Sequence, residues 1–197
     1  MMRKIFLGAF VFGLSLALWQ CSPVGPEPTA EPSEKQQKQA AIERGEYLVG
    51  IAGCNDCHTP KIMTEMGPAP DMKMMLAGHP ANEQLPAITD SSMIAPGQWA
   101  LFNSSLTAAV GPWGISFAAN ITPDDTGIGN WTYEQFEKAL REGKSKGLDG
   151  TRPLLPPMPW FNYVKMSDED MRAIFAYLQS ITPIKNAVPG PIPPAGS

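Results

Sequence analysis

The most reactive side chains of the sequence lie together in the pentapeptide Cys54-Asn55-Asp56-Cys57-His58. Two thiols separated by two residues can form thioether bonds with the two vinyl groups of one porphyrin, and the adjacent histidine is then placed to ligate its iron. The spacing therefore predicts one covalently bound haem c, held by Cys54 and Cys57, with His58 as an iron ligand. Such a group carries one-electron chemistry.

Two other kinds of site use the same cysteine spacing and stay open at this point. A structural zinc ion needs four ligands, and the remaining cysteine and histidine that could complete the set are Cys21 and His79. A thioredoxin-type dithiol is expected after a strand in a parallel-sheet pattern, and no such pattern surrounds Cys54. We therefore favour haem attachment over zinc binding and over a redox dithiol.

The beginning of the chain has the pattern of an export signal. Arg3 and Lys4 precede an apolar run of about fifteen residues that ends at Trp19, which is short for a membrane span of about twenty. Cys21 follows it and resembles the acylated first residue of a bacterial lipoprotein. We therefore predict a signal peptide over 1–20, a lipid anchor at Cys21 and a periplasmic or cell-envelope location. An ordinary cleaved signal and an uncleaved anchor are the alternatives.

Composition divides the remaining chain into a linker, one domain and a tail. Residues 21–34 contain four prolines among polar residues and are predicted to form an extended linker, and the Pro/Gly-rich residues 189–197 an extended tail. Residues 35–188 then form one domain, the expected size for this length. The formal net charge of −4 gives no support to nucleic-acid binding and favours a protein partner with a basic patch.

Three helices can be predicted from periodicity and capping signals. The first covers about residues 35–53, the second runs from Thr132, which begins a capping box, to Gly143, and the third from the N-cap Ser167 towards Pro183. The first two are separated by about seventy residues rich in proline and glycine, for which we expect irregular loops held by a bound group.

A six-coordinate iron needs a second ligand, and Met158 is the best candidate. Prolines on both sides of Met158 restrict its loop, which suits a thioether held against iron. His79 is the alternative and would give a bis-histidine site of lower potential. The methionines of the 62–75 loop are soft donors as well, but adaptable packing is the simpler account of them.

Three blocks of the sequence carry a family resemblance. They are Cys54-Asn55-Asp56-Cys57-His58, then Asn120-Ile121-Thr122-Pro123-Asp124 with Gly127-Ile128-Gly129-Asn130-Trp131, and finally Pro157-Met158-Pro159 with Ser167-Asp168-Glu169-Asp170 and Ala176-Tyr177-Leu178. With them, the chain from about Ile42 to Pro189 resembles class I c-type cytochromes, in particular the cytochrome subunits of membrane-associated alcohol, aldehyde and gluconate dehydrogenases. Many of those subunits repeat the haem motif three times, so this chain looks like a single-haem relative.

The resemblance implies a mainly α, cytochrome c-like fold around one haem, with long irregular loops. In such a fold the first and last helices cross, so that Tyr47 and Leu48 meet Phe175 and Leu178. It also implies Cys54 and Cys57 as haem attachment points, and His58 and Met158 as axial ligands.

Trp131 is expected either to donate its indole N–H to a haem propionate or to be a buried aromatic residue. The implied function is outer-sphere electron transfer between a dehydrogenase, or another donor, and the respiratory chain. The redox partner is a dehydrogenase, an oxidase or another cytochrome, and the chain is not itself an enzyme. The alternatives are a peroxidase-like haem enzyme and a gas sensor with a displaceable distal ligand.

Overall fold

A computed structural model of the chain describes residues 31–194, which from Pro32 onward form one compact unit. The predicted signal peptide and the predicted lipid anchor at Cys21 lie outside the described residues. In chain order the elements are α1 (Glu34–Ile51), α2 (Cys54–His58), β1 (Lys61–Thr64), β2 (Gly67–Pro70), β3 (Leu101–Phe102), β4 (Ala108–Gly111), β5 (Gly114–Phe117), α3 (Tyr133–Glu142) and α4 (Asp168–Leu178).

The fold is helical with a smaller strand component, so the predicted mainly α class holds only in part. Helix accounts for 35% and strand for 13% of the structure. The strands lie within the region expected to be irregular: β1 and β2 form an antiparallel hairpin, and β3, β4 and β5 form an antiparallel sheet in that order. Each strand has two to four residues, which is too short for the alternating pattern of a strand to be recognised.

The three predicted helices α1, α3 and α4 begin close to their predicted positions because local signals fix them. Ser33 caps α1 with a capping box to Gln36, and Thr132 caps α3 in the same way. The helix α3 ends at Gly143, whose φ of 64° is a left-handed conformation that glycine adopts without strain. In α4 the Ser167 side chain accepts a hydrogen bond from the backbone N–H of Asp170.

The core forms where α1 and α4 cross, as predicted. Leu48, Ile174 and Leu178 are buried there, and Phe175 is partly buried against them. The expectation for Tyr47 was wrong, since its side chain is 58% exposed. Tyr47 instead lies beneath the guanidinium of Arg44, 5.7 Å from the ring centroid, on the outer face of α1.

Gly45 lets the two helices approach closely at this crossing. A Cβ atom at Gly45 would overlap the backbone carbonyl of Ala173 and come within 2.7 Å of the Tyr177 Cβ. The obstacle on the α4 side is backbone, which cannot rotate away. A side chain at this position must therefore push the helices apart.

We expect Gly45→Ala to destabilise the folded protein by about 1–3 kcal/mol, the usual cost of overpacking a core, even though alanine favours a helix. Gly50→Ala is the matched control on the same helix, because a Cβ there meets nothing within 4 Å. Denaturant unfolding of the two variants measures the difference. Equal stability of both would show that the crossing tolerates a side chain.

Within the segment predicted as a C-terminal tail, Ile192 pairs with the sheet. The backbone N–H and C=O of Ile192 exchange hydrogen bonds with those of Ile115, at 2.9 and 2.8 Å, so this segment lies along the free edge of β5. Between residues 31 and 194, no helix combines the length and the apolar character needed to cross a membrane.

Candidate haem-attachment site

The CxxCH residues fold into the short helix α2, which places both thiols one turn apart. Gly53, at a φ of 69°, makes the left-handed turn that separates α2 from α1. Cys54 and Cys57 are half-buried free thiols, and they are not joined in a disulfide. Burial raises the pKa of Cys54 to about 11 and also raises that of Cys57, whereas a redox dithiol needs a lowered pKa. The structure therefore does not favour the dithiol alternative.

Lys61 holds the C-terminal end of α2 in place. Its ammonium group donates to the backbone carbonyls of Asn55 and Asp56, at 3.0 Å each, and of Thr59, at 2.5 Å. The Asp56 carbonyl is among those that a helix leaves unpaired at its end, whereas the Asn55 carbonyl also accepts the backbone N–H of Thr59. Sequence reasoning missed this residue, although a cation just after a helix is a recognisable signal.

His58 is oriented for metal ligation by a hydrogen bond to the backbone. Its Nδ1 lies 2.7 Å from the carbonyl oxygen of Ala119, and because a carbonyl only accepts, Nδ1 carries the proton. This fixes the tautomer in which Nε2 keeps its lone pair. Burial lowers the pKa of His58, which favours the neutral imidazole that ligates metals.

Two loop segments, one around His79 and one that follows β5, contact His58. The backbone N–H of Gly78 donates to the His58 carbonyl at 2.8 Å, and that of His79 to the carbonyl of Ala118 at 2.9 Å. Ala119, which receives the His58 ring, is the next residue. Gly78 and His79, together with Ala118 and Ala119, therefore form one continuous surface that contacts His58, and we call this surface the shelf.

His79 is used for packing within this shelf. Its side chain is fully buried, its Nδ1 lies 2.8 Å from the Thr107 hydroxyl, and its ring centroid is 4.7 Å from that of Phe117. Its backbone carbonyl accepts a hydrogen bond from the Asn186 side chain. Burial lowers the pKa of His79, as expected for a neutral structural histidine.

Met158 lies half-buried in a turn that the structure connects to α2. Beyond the turn, the Tyr163 hydroxyl donates to the carbonyl of Ala52, just before Cys54, at 3.1 Å. The pKa of the Tyr163 phenol is raised, chiefly by burial and to a lesser degree by the nearby thiols of Cys54 and Cys57. The loop that carries Met158 thus returns to the CxxCH helix, although 111 residues separate the two partners of this hydrogen bond.

The donor set of these elements fits a covalently attached haem c. It offers two free thiols one turn apart, an imidazole with an available Nε2, and a thioether on a neighbouring loop. No group of three or more His, Cys, Asp and Glu residues that could hold a metal ion occurs in the described part of the chain, and the zinc alternative would also need Cys21, which lies outside it. Trp131 is partly buried against the core cluster, and its indole forms no hydrogen bond with residues 31–194, so both of its predicted roles stay predictions.

No protein-family model matches the chain. It is 32% identical over 157 residues to the cytochrome c subunit of gluconate 2-dehydrogenase from Pantoea cypripedii, which covers 79% of this chain and 26% of the relative. The cytochrome subunit of fructose dehydrogenase from Gluconobacter japonicus is 33% identical over 158 residues, or 80% of this chain and 24% of the relative. The cytochrome c subunit of alcohol dehydrogenase (quinone) from Gluconobacter oxydans (strain 621H) is 31% identical over 148 residues, which cover 74% of this chain and 23% of the relative.

The chain spans about a quarter of the length of these curated relatives. All three are named as cytochrome subunits, which confirms the prediction of an electron carrier rather than a catalytic subunit. The same names support haem c as the cofactor of the CxxCH helix. Over 74% to 80% of its length the chain thus resembles the cytochrome c subunits of gluconate, fructose and alcohol dehydrogenases, as the three sequence blocks predict.

Proposed function

We propose that this chain is a monohaem c-type cytochrome that transfers electrons outside the cytoplasm, from a dehydrogenase or another donor to the respiratory chain. The observation that carries the proposal is the CxxCH helix with His58 already oriented by Ala119. The motif occurs once in the sequence, which supports one haem per chain. The names of the relatives support a dehydrogenase as the redox partner.

Each site residue has a defined task in this proposal. Cys54 and Cys57 would hold the group covalently, so that it stays bound in both oxidation states, and the Nε2 of His58 and the Sδ of Met158 would ligate its iron. A bound haem c supplies an iron centre that accepts and donates single electrons. Because Lys61 and Ala119 fix α2 and the His58 ring, the protein part of the site needs little rearrangement.

Met158 is preferred to His79 as the second ligand on two grounds. His79 is fully buried within the shelf that supports His58, where its Nδ1 contacts Thr107 and its ring packs against Phe117, although its Nε2 has no hydrogen-bond partner among the described residues. Met158 lies on a separate loop that Tyr163 ties to the turn before Cys54. A methionine and a histidine as axial ligands give a higher potential than two histidines.

The proposal extends to the location of the protein. The predicted signal peptide would export the chain, and a lipid at Cys21 would hold the domain at the membrane through the proline-rich linker of residues 21–34. An envelope location agrees with the covalent haem, since attachment of this kind is an export-side chemistry. The net charge of −4 favours a partner with a basic patch.

Spectroscopy of the purified protein tests the proposed function. We expect one haem per polypeptide, a sharp low-spin c-type spectrum in the reduced form that carbon monoxide does not alter, and a far-red absorption in the ferric form from the methionine–iron bond. High-spin iron or ready binding of carbon monoxide would instead indicate the peroxidase-like or gas-sensing alternative. A ratio far from one haem per chain would contradict the monohaem assignment.

A further inference from the structure

One short stretch of chain, from Ser116 in β5 to Ala119, contacts the proposed ligand His58 and the loop that carries the proposed ligand Met158. Ala119 accepts the hydrogen bond from His58 Nδ1 at 2.7 Å. Three residues earlier, the Ser116 hydroxyl lies 2.6 Å from the carbonyl oxygen of Pro156, two residues before Met158. The same segment therefore contacts the two ligand-bearing parts of the chain.

The Ser116 hydroxyl is positioned to donate to Pro156. Its side chain is buried, with 7% of its surface exposed, and its oxygen accepts the indole N–H of Trp113 at 3.2 Å. A hydroxyl has one proton to donate, and the second carbonyl within reach, that of Ala109, is distant at 3.4 Å. The short contact to Pro156 is therefore the main bond.

The segment is fixed on both of its edges, so it can hold its contacts at a constant separation. The strand β5 pairs with β4 on one edge and with Ile192 on the other. Beyond β5, Ala118 accepts from the backbone of His79, and the Asn120 side chain donates to the carbonyl of Ile184 at 2.8 Å. A segment paired in this way resists local displacement.

The Met158 loop, in contrast, has few backbone bonds of its own. Pro156, Pro157 and Pro159 lack an N–H. The bond within the turn, from Met158 N–H to the Leu155 carbonyl, is 3.2 Å long. Among the hydrogen bonds of the described residues that join this loop to the rest of the fold, the Ser116–Pro156 bond lies closest to Met158 in the chain.

We propose that Ser116 is a positioning residue that holds the Met158 sulfur in place for axial ligation. The inference rests on the proposed function, because it requires Met158 to be the second ligand. Loss of the bond frees Pro156 and lets the loop move away from its position, so the methionine spends more time off the iron. The effect acts through Met158 and leaves haem attachment intact.

The test compares Ser116→Ala with the matched control Ser180→Ala, whose hydroxyl also donates to a backbone carbonyl, that of Tyr177, at the end of α4. We expect Ser116→Ala to weaken the ferric far-red absorption and to let carbon monoxide alter the reduced spectrum, because the fraction of iron without its methionine rises roughly tenfold, the factor for about 1.4 kcal/mol. The haem content and the low-spin reduced spectrum stay as in the control.

Trp113→Phe is a second variant, which removes the indole N–H that orients the Ser116 hydroxyl. We expect it to change both readouts in the same direction to a smaller extent. It replaces Ser116→Ala as the test if that variant does not fold.

Two results would overturn the inference, and they differ in what else they affect. If Ser116→Ala and Ser180→Ala behave alike while the wild type shows the far-red absorption, the positioning role is wrong and the ligand assignment stands. If the wild type lacks that absorption, Met158 is not the ligand, and this inference falls together with that part of the proposed function.

Discussion

Replacing both Cys54 and Cys57 with serine is expected to abolish covalent attachment of haem, so that no haem remains with the polypeptide after denaturation. The reason is chemical: a serine hydroxyl does not form the thioether that links each vinyl group to the chain. The wild type is expected to retain one haem per chain under the same conditions. Haem staining of a denaturing gel and the pyridine haemochrome spectrum measure the difference.

Cys21→Ser is the control for this experiment, because it removes the remaining cysteine of the sequence, which lies outside the attachment motif. We expect it to keep the full covalent haem content. If Cys21 carries the lipid anchor, this variant is released from the membrane fraction, which tests the anchor independently of haem. Stoichiometric covalent haem in the double variant would show that Cys54 and Cys57 are not the attachment points.

Local sequence signals predicted the elements that carry the site. The cap at Thr132 and the cap at Ser167 each depend on residues three positions apart, so a single sequence contains the whole interaction. The CxxCH pattern is equally local, because its spacing is one helical turn. Helix starts and the attachment residues could therefore be predicted without knowledge of the fold.

Contacts that join distant parts of the chain could not be predicted in this way. His58 meets Ala119 across 61 positions, through a backbone oxygen that any residue could supply. Ser116 meets Pro156 across 40 positions, and a serine in a short strand has no distinguishing pattern. Such contacts depend on the path of the whole chain. Part of that path is set by the sheet of β3, β4 and β5, in a region for which the sequence predicted irregular loops.

Tyr47 shows a further limit of periodicity. A stripe of apolar and aromatic residues predicted the buried face of α1, and Leu48 confirms it. Tyr47 is its neighbour in the chain and points about 100° away from it around the helix, a rotation that places it on the outer face beside Arg44. The adjacent residues Leu48 and Val49 are both buried, so the edge of the buried face lies between Tyr47 and Leu48, and the sequence alone did not indicate this edge.

Replacing Met158 with histidine is expected to remove the ferric far-red absorption and to lower the reduction potential by roughly 0.2 V, a quarter of the span of about 0.8 V that axial ligands cover. The direction follows from ligand chemistry, since imidazole stabilises ferric iron more than a thioether does. Redox titration and the ferric spectrum measure the two effects. The reduced protein is expected to remain low-spin, because both axial positions are still filled.

Met66→Leu is the matched control, because Met66 is 99% exposed at the turn of the β1–β2 hairpin and belongs to the methionine-rich loop. It should leave the spectrum and the potential unchanged. An unaltered far-red absorption in Met158→His would exclude Met158 as the second iron ligand. Loss of this absorption in Met66→Leu would instead assign the ligand to the 62–75 loop. The absence of this absorption from the wild type, with a low potential, would instead indicate His79. These outcomes separate the three ligand hypotheses because a thioether and an imidazole give the iron different spectra as well as different potentials.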